Sequence, residues 1–274
     1  MSDRPVDAPE ARWERIPVKE LFLVYPNLVR TASIIVFLIL WEIVGRNMDP
    51  LFMTYPTAIF SASIELLQTG ELQKAFVQSL IPLTIGMVIS IVGGMVIGLA
   101  MGLSRVVEYA IDPYVNGLNA IPRIALVPLI ILWCGLGLTA KVVIVVSVGI
   151  FPIIINTFAG VKDVQGTLVD VGRAYSASQR QVLFKIILPA ALPFIMAGIR
   201  LGFGLGIIGM IVAEFFTAVS GLGGIIIDYG NTFQTAKMFV AIIVIGALGI
   251  VLSGAVMMLE RRWTGWRQGH GSGE

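Results

Sequence analysis

Two ionisable residues lie within long apolar stretches of this 274-residue sequence. Arg200 lies in the run 190–217, about 11 residues and so roughly 16 Å of helix beyond Pro189. Glu214 follows about 14 residues later, roughly 21 Å further along a straight helix, so the two cannot pair within that helix. Because an ionised group in hydrocarbon is costly, each needs another partner or a wet cavity, and each is a functional candidate.

The type of each charge suggests what it could do. A permanently charged guanidinium suits a small oxyanion such as nitrate, sulfonate or carboxylate, so Arg200 is a candidate for the wall of a pore. The alternative is a structural arginine that bonds helix carbonyls or lies near a subunit seam. Glu214 is expected close to the outer surface, either paired across a dimer or at the membrane interface. We place Arg200 and Glu214 on a candidate substrate pathway, and we interpret Arg123 as a snorkelling side chain near the inner end of its span.

Other chemistries find little support in the sequence. A single cysteine, Cys134, and a single histidine, His270, give no basis for a disulfide framework or a His/Cys metal site. No G-x-x-x-x-G-K-[ST] loop and no nucleophile–base pair occur, so the chain is not expected to be an enzyme or to bind a nucleotide. The net charge of +2 gives no argument for nucleic acid. Energy for any transport must therefore come from a partner or from an ion gradient.

The elements that position these residues are predicted to be membrane-spanning helices. Hydrophobic residues make up 57% of the chain and charged residues 13%, against about 25% charged in a typical soluble protein. We therefore predict an all-α integral membrane protein with six transmembrane helices. The predicted spans are 28–44, 75–104, 124–140 with an extension back toward Asp112, 142–161, 190–217 and 238–259.

The lysines and arginines predict the orientation of these spans. Most of them fall in segments on the same side as both termini, so the positive-inside rule places both termini in the cytoplasm. The resulting organisation is a cytoplasmic tail over 1–27, a six-span domain over 28–262 and a second cytoplasmic tail over 263–274. The segment 162–189, between spans 4 and 5, is then cytoplasmic. The N-terminus lacks the pattern of a cleavable signal peptide.

The segment 162–189 reads as a helix, a break at Ser176, and a second helix. Thr167 is expected to cap the first helix, and Ser178 with Gln181 forms a capping box for the second. Its apolar residues could enter a groove on a cytoplasmic partner or lie on lipid headgroups, and periodicity does not separate these alternatives. Those residues include Leu168, Val171, Tyr175, Val182, Leu183, Ile186 and Ile187.

Small and rigid residues are also patterned along the spans. Glycines recur at every fourth position over 94–102 and again over 198–206, a spacing that lets helix backbones approach closely in lipid. We interpret both stripes as packing within one subunit rather than as a dimer seam. Prolines at 82, 122, 128 and 152 predict kinks.

The segment also resembles a known motif. Asp170-Val171-Gly172, then Ser176, then Ile186-Ile187-Leu188-Pro189 matches the spacing of the EAA loop of binding-protein-dependent ABC importer permeases. That loop reads Glu-Ala-Ala, three residues, Gly, nine residues, Ile-x-Leu-Pro. The identities depart from it at Asp170, Val171, Gly172 and Ser176, whereas the Ile-x-Leu-Pro end is intact.

The flanking sequence resembles the nitrate/sulfonate/taurine branch of that family over about residues 30–262. The matching stretches are Ile121-Pro122-Arg123, Leu132 to Gly137, Phe151-Pro152, Asn156-Thr157, Gly198-Ile199-Arg200, Ala213-Glu214 and Ser220 to Gly223.

The resemblance implies a homodimer of six-span subunits in the bacterial cytoplasmic membrane. It also implies a cytoplasmic ABC ATPase dimer and an extracytoplasmic solute-binding protein as partners. ATP and Mg would bind to the ATPase, and this chain would bind no cofactor. The solute would be small and anionic or zwitterionic, nitrate-, sulfonate- or taurine-like or an organic acid. The implied ATPase-coupling residues are Asp170, Val171, Gly172, Arg173, Ala174, Tyr175 and Ser176.

A second class of function is an ion-coupled secondary transporter that acts without an ATPase. Inverted repeats and acidic residues at mid-span would favour it. The sequence shows no convincing internal repeat, and Glu214 is the only acidic residue well inside the later spans.

Overall fold

The computed structural model describes residues 26–164, 166–217 and 220–264, and these residues form helices without strands. The predicted tails, 1–27 and 263–274, lie almost wholly outside these ranges. A 3-10 turn, Arg123–Leu126, precedes α5, and a π-helical segment, Leu183–Ile187, joins α8 to α9. The helices are α1 Pro26–Arg46, α2 Pro56–Gln68, α3 Glu71–Leu103, α4 Arg105–Ala120, α5 Val127–Cys134, α6 Leu138–Lys162, α7 Gly166–Ala174, α8 Gln179–Val182, α9 Leu188–Phe216, α10 Gly221–Asn231 and α11 Thr235–Thr264.

Five of these helical stretches are long and apolar enough to cross a membrane. They are α1, α3, α6, the continuous stretch Gln179–Phe216 that contains α9, and α11. A sixth crossing is available if the pair α4 and α5, bent by 89°, counts as one span. The bend follows from Pro122: the residue before a proline is disfavoured in the helical region, and Ile121 is extended with ψ 132°. The third span is thus broken rather than continuous.

The packing of α3 against α6 shows that the bent pair, α4 and α5, carries the chain back from the level where α3 ends to the level where α3 begins. Gly86 of α3 lies against Val145 of α6, and 16 residues further along both helices Gly102 lies against Val161. The two helices therefore run parallel. The chain between them must travel back over a distance comparable with their shared length, roughly 24 Å, and α4 with α5 makes that return. The prediction of six spans is confirmed in this form.

Glycine allows the central helices to approach each other. A Cβ at Gly94 would lie 2.8 Å from the Ile153 side chain, and one at Gly202 would lie 3.0 Å from the Gly149 carbonyl. A Cβ at Gly206 would lie 2.7 Å from the Met87 sulfur. Both glycine stripes therefore pack within the subunit, as predicted, and set the close spacing of α3, α6 and α9. The core between these helices and α11 consists of Leu83, Met87, Val145, Ile153, Ile207, Met210 and Leu248.

The chain divides into two compact units at Thr57 and Ala58. In the described part of the first unit, the indole N–H of Trp41 donates to the Thr54 carbonyl at 2.9 Å. The Glu42 carboxylate accepts from the Thr57 backbone N–H at 3.0 Å and from Arg46 Nε at 2.6 Å. These contacts tie the residues after α1 to its last turns.

Candidate functional site: the 163–188 loop and the charges within the spans

The break in the 163–188 loop is a Schellman turn at the end of α7. The Ala177 N–H donates to the Gly172 carbonyl at 3.0 Å, and the Ser176 N–H donates to the Arg173 carbonyl at 2.8 Å. Ser176 is left-handed, with φ 57°, as the residue after the cap must be in this motif. This conformation favours glycine, which is the residue that the EAA motif has at this place. The structure therefore gives a backbone reason for the motif's glycine and shows that serine fills the same position here.

One of the two helix caps predicted in this loop is present. The Gln181 N–H donates to Ser178 Oγ at 3.3 Å, and the Ser178 N–H donates to Gln181 Oε1 at 2.8 Å, so the predicted capping box is confirmed. The expected cap at Thr167 is wrong, because α7 already begins at Gly166 and Thr167 lies in its first turn. Helix ends are commonly uncertain by one or two residues in sequence reasoning.

The helix α7 has one face toward the bundle. Gly172 is buried, and a Cβ there would lie 2.6 Å from Ile186 Cδ1. Val169 packs against the cluster of Val161, Val182 and Ile187. These contacts hold α7 against the start of the fifth span.

An adjacent face of α7, roughly 100° around the helix from Val169 and Gly172, is apolar and exposed. Leu168, Val171 and Tyr175 are 48, 55 and 85% exposed and recur at helical spacing. We call these three residues the α7 stripe. Asp170 and Arg173 form an ion pair beside it at 3.9 Å, with both side chains largely exposed, which contributes little to stability. The α7 stripe is therefore an exposed apolar surface on a helix that is itself fixed.

Arg200 lies in α9 and pairs with Glu260 of α11. Because Glu260 is in the last turns of α11, Arg200 is level with that end of α11 rather than with its middle. The Arg200 side chain is 38% exposed, and its Nε is buried without a hydrogen bond. Sequence reasoning recognised that Arg200 needs a partner but did not find Glu260, which is 60 residues away and just past the last charge-free run.

Glu214 differs from what was expected. It is fully buried, and its two carboxylate oxygens accept from Ser79 Oγ at 2.7 Å and from the Gly223 N–H at 2.8 Å. Its carboxylate is therefore bonded within the subunit, and it presents no surface to a solute. Its geometry is that of a positioning residue for α10, because a carboxylate at a helix N-terminus satisfies free N–H groups and favours the helix dipole.

Further polar groups complete this cluster, which we call the α10 anchor. The Leu222 N–H donates to Ser79 Oγ at 2.8 Å, and the Gly221 N–H donates to Gln78 Oε1 at 3.1 Å. Lys141 Nζ donates to Ser220 Oγ at 2.6 Å. Gly221 is left-handed, with φ 78°, and a Cβ there would overlap the Glu214 carboxylate, so only glycine fits. Sequence reasoning missed Gln78, Ser79 and Lys141, since each is an ordinary helix residue until α10 is placed beside it.

Arg123 lies at the bend of the third span. Its guanidinium carbon is 4.7 Å from the ring centre of Phe151, which is halfway along α6. The interpretation of Arg123 as a snorkelling residue near the inner end of its span is therefore wrong, because the bend carries it to the middle of the neighbouring helix.

These features define a helical membrane protein, and comparison with known proteins assigns its family. Residues 90–265 match the model of the binding-protein-dependent transport system inner membrane component, and the chain belongs to this family. It is a permease subunit of an ABC importer.

Two curated relatives and one solved structure are similar to most of the chain. The chain is 33% identical to the putative aliphatic sulfonates transport permease protein SsuC of Bacillus subtilis, over 86% of each chain. It is 30% identical to the taurine transport system permease protein TauC of Escherichia coli, over 86% of this chain and 88% of that one. Its fold is similar to a chain of the MetNI methionine ABC transporter in an inward-facing conformation, with a TM-score of 0.59, 20% identity and coverage of 74% of this chain and 98% of that chain.

Proposed function

We propose that this permease forms the membrane pathway for a small sulfonate-like, anionic or zwitterionic solute, with a cytoplasmic ABC ATPase docked on α7. The observation that supports docking is the α7 stripe. It is an apolar surface left uncovered on a helix that its own subunit holds rigidly, the kind of surface that an amphipathic helix offers to a groove.

A protein partner fits α7 better than a lipid surface does. Helices that lie on headgroups usually carry lysines and arginines on their polar face. The polar residues of α7 are Thr167, Asp170 and Arg173, which carry one negative and one positive charge. With no net positive charge to attract anionic lipid, the stripe is better suited to a protein groove. We propose Asp170, Val171, Gly172, Arg173, Ala174, Tyr175 and Ser176 as the coupling residues.

The partners and orientation follow from the same proposal. The ATPase would bind ATP and Mg, since this chain has no phosphate-binding loop and needs no cofactor of its own. The loop and both termini would be cytoplasmic, and α10 would lie at the extracytoplasmic end, where a solute-binding protein delivers the solute. The subunit would act as a homodimer in the bacterial cytoplasmic membrane.

The solute class is supported by the relatives named for sulfonates and taurine. Arg200 is retained as a candidate on the pathway, because its bond to Glu260 through Nη2 uses only some of the five N–H donors of the guanidinium. Glu214 is not retained, because the α10 anchor occupies both of its oxygens.

The test is co-purification of the permease with its ATPase after Val171→Asp. We expect a charge in the middle of the α7 stripe to abolish capture of the ATPase while the permease still reaches the membrane. Gln179→Asp is the matched control, because Gln179 is exposed in the same loop but lies in α8, outside the α7 stripe and outside the proposed coupling residues. Full capture with Val171→Asp, or equal loss with both variants, would remove the α7 stripe from the interface. Solute uptake by the permease alone would instead support the secondary-transporter class.

A further inference from the structure

A cavity of about 490 Å³ lies at the bend between α4 and α5. Asn119 and Arg123 line it at the bend, and Ile144 and Val148 of α6 and Ile208 and Val212 of α9 form its opposite walls. Ile144 and Val148 lie within about 10 Å of the middle of α6 along its axis. The cavity is therefore at membrane depth and not at a surface loop.

Irregular backbone at this depth needs a reason. Residues 121–122 are extended, and Pro122 and Pro128 have no N–H to donate. Within a membrane, non-helical backbone is tolerated where it is buried in protein or lines a water-filled cavity, and transporters commonly place solute sites at such breaks. The bend satisfies this condition because the cavity opens beside it.

Arg123 brings a positive charge to this cavity. Its Nη2 donates to the Asn119 carbonyl at 3.0 Å and to Asn119 Oδ1, and its guanidinium stacks over the Phe151 ring. None of these groups carries a charge, so these contacts orient the guanidinium without neutralising it. Its Nε is buried and has no hydrogen-bond partner in the structure. In Arg200, by contrast, the charge is balanced by Glu260.

We propose that Arg123 and this cavity form an oxyanion-binding site on the solute pathway, which takes a short aliphatic sulfonate. The proposal rests on the proposed function for its solute and on the geometry for its site. A guanidinium held by Asn119 through Nη2 and stacked on Phe151 has its Nη1 donors left for an anionic head group. The apolar walls, from Ile144 to Val212, suit a short hydrocarbon tail, and the volume is that of an ordinary small-molecule site.

The first experiment probes the site without transport. Ile208, an exposed residue of the cavity wall, is replaced by cysteine in a Cys134→Ala background, in the assembled permease–ATPase complex. Labelling rates are compared for two methanethiosulfonate reagents of similar size, one with a sulfonate and one with a trimethylammonium group. The quantity compared is the labelling rate of the sulfonate reagent divided by that of the cationic reagent. We expect this ratio to be at least about tenfold higher at the introduced cysteine than with a small free thiol.

Removal of the charge should remove this preference. Arg123→Ala should return the ratio to that of the free thiol. Arg105→Ala removes an exposed charge at the start of α4, roughly 21 Å along that helix from Asn119, and should leave the ratio unchanged. If Arg123→Ala does not assemble, Arg123→Gln makes the same test with a polar side chain. Equal labelling by both reagents with Arg123 present, or a preference that persists without Arg123, would overturn the proposal.

The second experiment measures uptake of short alkanesulfonates in vesicles that contain the complete transporter. We expect Arg123→Ala to lower uptake by at least about tenfold while the complex still assembles. Arg123→Lys should retain part of the uptake, since lysine keeps the charge but not the planar pair of donors. Wild-type uptake by the Arg123→Ala transporter would overturn the site. If the wild-type transporter takes up no sulfonate while the Arg123-dependent labelling preference is present, the proposed solute fails and the anion site stands.

Discussion

The two ends of the helix bundle differ in whether their functional groups are bonded within the subunit or exposed. At the end that carries α10, polar groups are consumed within the subunit: Glu214 and Ser79 bond the first N–H groups of α10, and Lys141 bonds Ser220. At the end that carries α7, the charged atoms of Asp170 and Arg173 are 3.9 Å apart and largely exposed, and no part of the chain that the structure describes covers the α7 stripe.

The difference lies in whether each feature is stabilised within the subunit. A buried polar cluster is stabilising only when its members are bonded, so the α10 anchor fixes α10 without outside help. An exposed apolar stripe gains free energy only when another surface covers it. The α7 stripe is thus a surface that a partner can cover, whereas the α10 anchor has its hydrogen bonds within the subunit.

The strongest test of this contrast is Glu214→Ala. The change leaves the Gly223 N–H and the Ser79 hydroxyl without their acceptor in a buried site and opens a cavity. We expect a loss of about 3–5 kcal/mol in unfolding free energy, visible as a much lower midpoint of thermal unfolding in detergent and a low yield. Glu214→Gln, which keeps the volume and one acceptor, should lose less. An Ala variant as stable as the wild type would show that the anchor is not structural.

A pair of glycine substitutions compares the two ends directly. A Cβ at Gly223 would lie 2.8 Å from Glu214 Cβ, so Gly223→Ala must displace α10 or the carboxylate and should cost about 1–3 kcal/mol. A Cβ at Gly166, the first residue of α7, meets nothing within 4 Å, so Gly166→Ala should be neutral or slightly stabilising. Thermal unfolding of both variants in the same detergent measures the difference. Equal effects would contradict the contrast.

At the α7 end, Tyr175→Ala separates stability from docking. Tyr175 is 85% exposed, so its truncation should leave the unfolding midpoint of the free permease unchanged. If an ATPase groove covers it, the loss should weaken ATPase binding by about 1–2 kcal/mol, roughly 5- to 30-fold in Kd. Titration of the purified ATPase against permease in nanodiscs measures this. A lower unfolding midpoint with unchanged binding would mean that Tyr175 serves the fold instead.

The sequence was sufficient for features that depend on neighbouring residues. Apolar runs located every span except the broken third one, and the spacing of Ser178 and Gln181 located the capping box. The place of Ser176 in the motif marked the break. Each of these follows from contacts within a few residues or from a length of apolar chain, which a single sequence records directly.

The sequence was insufficient where two distant helices meet. The Arg200–Glu260 pair spans 60 residues, and the Glu214–Ser79 bond spans 135. Which residues face each other at such separations depends on the register of packed helices, which the glycine contacts of α3, α6 and α9 set. Pro122 indicated a kink, but neither the 89° angle nor the place of Arg123 beside Phe151 follows from a proline alone.

The smallest expected effect concerns the turn that holds the α7 stripe in place. Ser176 is left-handed, which costs a non-glycine residue about 1–2 kcal/mol, partly offset by the greater chain entropy that glycine loses on folding. Ser176→Gly should therefore stabilise the end of α7 by about 0.5–1 kcal/mol and slow hydrogen exchange of the Ala177 amide, which bonds Gly172. Ser178→Ala, two residues on, should destabilise the second helix by about 1 kcal/mol through loss of its cap. Faster Ala177 exchange after Ser176→Gly would show that serine makes contacts that outweigh the backbone cost, and the turn would then be specific to this chain's own sequence.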